Sequence, residues 1–194
     1  MLPRPLLAFR NAFLVRETDR RPVPGMAGLY ADIVAAHPDV LVVYLSTGAW
    51  NTAAALLGFL ARHGYPPGPL LLTDWGPTDE GWFRSGQAHK RAQLSRLFAD
   101  FPDVRWLLVG DDGQHDPTLY AEAAAAHPDR VRAIAIRQLS VTEQVAQHGT
   151  PTGPDPLAND DRVSSGDGVP TVWAPDGDGL RDALVARGLL PRPH

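Results

Sequence analysis

Three junctions of one kind, His37-Pro38-Asp39, Phe101-Pro102-Asp103 and His127-Pro128-Asp129, each separate a stretch of helical spacing from a short apolar run. Proline ends a helix because it lacks the N–H donor and pushes the preceding residue out of the α region. Before the first junction, Met26, Leu29, Tyr30, Ile33 and Val34 recur at the spacing of one buried helical face. After it, residues 40–45 form a continuous aliphatic and β-branched run, the pattern of a strand buried on both sides. A second helix is expected over residues 53–63, closed by Gly64. The connector Pro66-Pro67-Gly68-Pro69 then leads into a strand at 70–73 that ends in Asp74-Trp75-Gly76. A polar loop at 77–87 contains Trp82 and Phe83. A third helix follows, with Leu94, Leu97, Phe98 and Phe101 on one face and Lys90 in its first turns. A strand at 104–109, a helix at 118–127 and a strand at 131–139 complete the alternation, and Ser140 with Glu143 has the spacing of a capping box. Alternation with short connections predicts the α/β class, a mainly parallel sheet with helices on both faces.

The chain has 194 residues, enough for one domain with a sizeable core. Residues 1–148 are read as the α/β domain. Within them, 1–25 are irregular, and 6–15 fit a short helix or an extended segment equally well. Residues 149–168, rich in Gly, Pro, Ser, Asp and Asn, read as a linker. Residues 169–194 read as a small strand-turn-helix able to pack on the sheet edge. A net charge of −4 without a basic block argues against nucleic acid as a partner. There is no cysteine, which removes disulfides and thiolate chemistry and suits a cytoplasmic setting. The first residues lack the pattern of a secretory signal, and no apolar run reaches the ~20 residues of a membrane span. Among the 18 basic residues Lys90 is the sole lysine, which asks what a compact ammonium does that a guanidinium does not.

In parallel α/β sheets the chemistry lies beyond the carboxyl ends of the strands. The polar clusters fall there: Ser46-Thr47, Asp74, and Asp111 to Asp116. Three carboxylates at one strand end repel unless they reach water or a cation, and Mg²⁺ takes one or two carboxylates while keeping waters. Each residue also has a plain structural reading: Ser46 as a strand-end cap, Lys90 as a surface charge, Asp116 as the N-cap ahead of Pro117. No nucleophile elbow, phosphate loop or dinucleotide fingerprint is present. A hydroxyl, an ammonium and an acid cluster together make the set that a phosphoryl group needs around its oxygens.

Four strings carry a resemblance: Tyr44-Leu45-Ser46-Thr47-Gly48-Ala49-Trp50-Asn51; Gly68-Pro69-Leu70-Leu71-Leu72-Thr73-Asp74-Trp75-Gly76; His89-Lys90; and Gly110-Asp111-Asp112-Gly113-Gln114-His115-Asp116-Pro117. In order, over about residues 2–145, the chain resembles the catalytic domain of the actin-patch-associated phosphatidate phosphatases, within the haloacid-dehalogenase superfamily. The resemblance implies a Rossmannoid three-layer sandwich and a Mg²⁺-dependent phosphomonoester hydrolase working through an aspartyl-phosphate. It implies that Ser46 and Thr47 bind the phosphoryl group and that Lys90 stabilises it and the nucleophile. Asp111 and Asp116 would hold Mg²⁺. Asp112 stands where a small polar residue is expected and is given no role. The substrate would be a phosphorylated small molecule or lipid, with room for peripheral membrane contact through Trp50, Trp75, Trp82 and Phe83. More often such aromatics are core or lid.

One departure stands out. The family's first motif, Asp-x-Asp-x-Thr, which supplies the nucleophile and general acid/base, occurs nowhere in the chain. In the family it ends a central strand between those expected at 40–45 and 104–109. The expectation is therefore a chain that lacks this central strand, as a truncated form of a longer phosphatase, and is inactive as it stands. The alternative is a non-catalytic remnant of the fold that binds phosphate, a metal ion or a partner.

Overall fold

The computed structural model describes residues 22–73, 82–113, 115–140, 143 and 168–192. In order these form α1 (Met26–Ala36), β1 (Tyr44–Ala49), a 3-10 turn (Trp50–Thr52), α2 (Ala53–Arg62), β2 (Leu70–Thr73), α3 (Trp82–Asp100), β3 (Trp106–Asp111), α4 (Asp116–Ala126), β4 (Val131–Arg137), β5 (Thr171–Ala174) and α5 (Gly177–Ala186). All strand pairs are parallel, so the protein is of the expected α/β class.

β4 shows how the sequence makes three layers. Side chains alternate along a strand. Ile134 and Ile136 join a core with Leu94 and Phe98 of α3 and Leu119, Tyr120 and Ala124 of α4. Ala133 and Ala135 face the other way, into a core with Leu29 of α1 and Leu180 and Leu184 of α5. The small alanines let that helical layer lie close. α1 and α5 approach each other still more closely at Gly25 and Gly177, where a Cβ on Gly177 would lie 2.2 Å from the Gly25 carbonyl carbon. Gly25 itself has φ 69°, a conformation that glycine adopts without strain. The Asp176 carboxylate caps α5 by accepting from the Gly179 N–H at 2.9 Å.

The strands fall into two groups, β1-β2 and β3-β4-β5. Among the described residues no ladder joins β1 to β3. Between them lies a cavity of about 1350 Å³. It is lined by every residue of 42–46 and 104–109, not by alternate ones. A pocket under one face of a sheet would touch every second residue, so this one borders the strand edges themselves.

Several element boundaries differ from those the sequence predicts. β1 begins at Tyr44, not residue 40, because its first partner is Leu70 and residues 40–43 have no ladder. It also runs on through Ser46 and Thr47. β3 likewise runs on to Asp111, since its pairing with β4 continues to Arg137. α3 begins at Trp82, so Lys90 sits in its third turn and not near its start. Asp74-Trp75-Gly76, Gln114 and most of the expected linker lie outside the described residues.

Candidate active site

The carboxyl end of β3 and the first turn of α4 build the centre of the site. Asp116 is the first residue of α4, and His115 takes the N-cap position at φ 63°. Asp116 is therefore not the N-cap that its place before Pro117 predicts. His115 is the sole non-glycine residue with positive φ among those described, so the turn between strand and helix is held in a costly conformation. The turn folds the Asp116 carboxylate back over β3. Its Oδ2 lies 3.4 Å from the Asp111 N–H, and its Oδ1 accepts from the Lys90 ammonium.

Lys90 and Asp116 are both buried, with side chains 8% exposed each. They are the sole buried charged residues among those described, and they pair with each other. Burial pushes the Asp116 carboxyl up from its ordinary value, and the Lys90 ammonium pulls it back only in part. So the lone lysine is not a surface charge. It reaches from α3 across to α4, where a compact ammonium fits between the helices.

Two residues to which the sequence reading gives no role make this possible. A Cβ on Gly110 would lie 2.7 Å from Asp116 Oδ2 and 2.7 Å from Tyr120 Cε2, so only glycine leaves the carboxylate its place. Tyr120, one turn along α4 from Asp116, donates its hydroxyl to the Val109 carbonyl at 3.1 Å and backs the strand end. The cue in the sequence is the glycine directly before the acid cluster, together with the i, i+4 spacing of Asp116 and Tyr120.

The other acids divide in role. Asp111 Oδ1 accepts from the Gly113 N–H at 2.8 Å, which shapes the turn. Asp112 accepts from the Leu139 N–H at 2.8 Å, while its own N–H donates to the Arg137 carbonyl at 3.0 Å. It ties the ends of β3 and β4 together. Burial, the largest influence on it, raises its carboxyl above the ordinary value.

The second part of the site is the carboxyl end of β1. Ser46 Oγ accepts from the Gly48 N–H at 3.0 Å and lines the cavity between the strand groups. Accepting at oxygen leaves the hydroxyl proton as a donor. Thr73, buried at the end of β2, donates to the Thr47 carbonyl at 3.2 Å and fixes this rim. α3 joins the two parts: a Cβ on Gly86 would lie 3.0 Å from Thr47 Cγ2, and Lys90 is one turn further along the same helix. The structure thus brings Lys90, Asp111 and Asp116 together. It places Ser46 and Thr47 at the neighbouring strand end, against the same helix. No group of three or more His, Cys, Asp or Glu able to hold a metal occurs among the described residues. Asp111 and Asp116 are the carboxylates at this strand end that could hold a cation; Asp116 already accepts from Lys90 and from the Asp111 N–H, so an ion such as Mg²⁺ would complete its shell there with water and substrate oxygen.

Fold and rim together define a three-layer parallel α/β domain with its polar machinery at the carboxyl strand ends. The chain belongs to the phosphatidate phosphatase APP1 catalytic-domain family, whose model matches residues 1–138. β5 and α5 lie beyond that match. The chain is 28% identical over 130 residues to "Phosphatidate phosphatase APP1" of Saccharomyces cerevisiae, covering 66% of this chain and 22% of that protein. It is 26% identical over 107 residues to "Uncharacterized protein C29B5.04c" of Schizosaccharomyces pombe, covering 55% of this chain and 18% of that protein. The matched region thus spans about a fifth of the length of these relatives. No solved structure matches the chain significantly. No helix among the described residues is long and apolar enough to cross a membrane.

Proposed function

We propose that this chain forms the phosphate-gripping part of a Mg²⁺-dependent lipid phosphatase of haloacid-dehalogenase type, with phosphatidate as the substrate class. The observation that carries the reading is the buried Lys90–Asp116 pair beside Asp111 at the carboxyl end of β3. A buried ion pair is a weak source of stability, and a hydrophobic pair would pack as well. Its retention at a strand end, against a turn held at positive φ, supports a chemical role.

In this reading Ser46 and Thr47 donate to the phosphoryl oxygens, and the Lys90 ammonium offsets charge as it develops there. Asp116 orients Lys90 and shares the metal site with Asp111. Bound there, Mg²⁺ would neutralise phosphoryl charge. The nucleophile would be an aspartate on a strand seated between β1 and β3. The cavity bordered by both strand edges supports that placement, because its walls are those a parallel strand would pair with. Residues 1–194 alone would then have no nucleophile and no turnover.

The test is a phosphatidate phosphatase assay on two forms: residues 1–194, and the chain extended at its amino end by a strand carrying Asp-x-Asp-x-Thr. Turnover is expected in the extended form alone, and Lys90→Ala and Asp111→Asn should abolish it. Undiminished turnover in both variants would remove the assignments. Binding of Mg²⁺ or phosphate without turnover in any form would favour a non-catalytic remnant.

A further inference from the structure

From Val40 to Ala61 the chain carries no charged side chain, although 21% of its residues are charged. This stretch contains β1, the 3-10 turn and α2 almost whole. α2 is apolar on every side, yet none of its ten residues is buried. A helix that is hydrophobic all round belongs in a core or against lipid. Leu56, Phe59 and Leu60 turn toward the cavity between the strand groups. The opposite stripe is bare. Within α2, Ala54, Leu57 and Ala61 follow the i, i+3, i+7 spacing of one helical face, Trp50 precedes them in the 3-10 turn, and all four are exposed. Trp50 is 65% exposed and Leu57 49%. At 1.5 Å per residue the stripe is about 17 Å long. Polar Asn51 flanks its start, and Arg62 ends it.

We propose that this stripe, led by Trp50, is a membrane-docking edge that lies in the headgroup region of a lipid bilayer. Three observations favour lipid as the occupant. Indole is the side chain that settles best at the boundary of hydrocarbon and water. An exposed apolar helix stripe buries shallowly at that boundary, with a strength that scales with the apolar area buried. The stripe also begins four residues after Ser46, at the same carboxyl rim as the candidate phosphate site. A phosphate held at that rim leaves the rest of its lipid at the rim's outer side, where Trp50 stands. The choice of lipid over another occupant rests on the lipid-phosphate reading above. The uncharged, apolar nature of the stripe does not. Because the stripe has no basic residue before Arg62, docking is driven by apolar burial and does not require anionic lipid.

The test needs no turnover, so it can fail or succeed independently of the phosphatase reading. The full chain is mixed with phosphatidylcholine vesicles carrying brominated acyl chains, at low and high salt. The expected result is co-sedimentation that changes less than twofold with salt, together with bromine quenching of tryptophan emission. Trp50→Phe should keep sedimentation and lose most of the quenching. Trp50→Ala and Leu57→Glu should each lower partitioning roughly tenfold while the circular dichroism spectrum is unchanged. No sedimentation of the parent chain overturns the proposal, as does sedimentation indifferent to Leu57→Glu. Dimerisation in solution that Leu57→Glu abolishes, without vesicle binding, would assign the stripe to a second copy and overturn it as well.

Discussion

At the scale of single residues, the site depends on one buried charge pair and the glycine that makes room for it. Lys90→Met alone leaves the Asp116 carboxylate buried without its partner, a change that costs about 3–5 kcal/mol in comparable pairs. Denaturant unfolding of the variant should show a loss of that order. Lys90→Met combined with Asp116→Leu removes both charges and should recover most of it. If the single and double variants lose equally, the pair is not what holds α3 to α4. Gly110→Ala places a methyl group 2.7 Å from Asp116 Oδ2 and should destabilise by about 1–3 kcal/mol through overpacking. Each of these residues is visible in the sequence: Lys90 as the sole lysine, Asp116 in a run of acids, Gly110 at a strand end. Their pairing is not. Lys90 and Asp116 are 26 positions apart, and only the crossing of α3 over α4 brings them together.

At the scale of elements, periodicity gave away the helices and strands, while their ends depended on partners that no local pattern reveals. Residues 40–43 are as apolar as any strand, yet they stay out of the ladder because no described strand pairs with them. Gly110 and Asp111 are poor strand formers, yet β4 carries them into the sheet. The polar first turns of α3 read as loop because residues such as Arg84 and Ser85 offer no apolar stripe. The capping box was legible and forms: Ser140 Oγ accepts from the Glu143 N–H at 3.3 Å, and Glu143 Oε2 accepts from the Ser140 N–H at 2.9 Å. Burial works against the ionised Glu143 carboxylate, but its bonds with Arg137 and Ser140 prevail and hold its carboxyl below the ordinary value. A depressed carboxyl stabilises the fold above the ordinary glutamate range and loses that effect as pH falls through the lowered value. Protection of the Ser140 amide against exchange should therefore decline on acidification, and Glu143→Gln should flatten that decline. Asp176→Ala, which removes the α5 cap, should cost about 1 kcal/mol in thermal or denaturant unfolding.

At the scale of the whole molecule, the two strand groups share helices but, among the described residues, no ladder, and the space between them is wide enough to matter. The apolar residues lining that cavity, and the edges of β1 and β3 that no described strand pairs, leave stability unused. A strand that pairs with both edges should raise the unfolding midpoint by several degrees, since each kcal/mol is worth roughly 2–4 °C in a chain of this size. For a strand added as a separate peptide the rise should grow with peptide concentration. An unchanged midpoint at saturating peptide would mean that the cavity is not a strand site. The three-layer arrangement itself was legible, because alternation of helix and strand admits few other solutions. The division of the sheet into two groups was expected only through the absent motif of the family pattern.

The central claim is that a phosphate is gripped at one rim by Ser46, Lys90 and an acid pair suited to Mg²⁺. Calorimetric titration of the chain with inorganic phosphate in the presence of Mg²⁺ tests it most directly. Saturable binding is predicted, weakened roughly tenfold or more by Ser46→Ala and by Asp111→Asn, as expected for the loss of one contact to a charged group. Binding that both variants leave unchanged, or no binding by the parent chain, would contradict it.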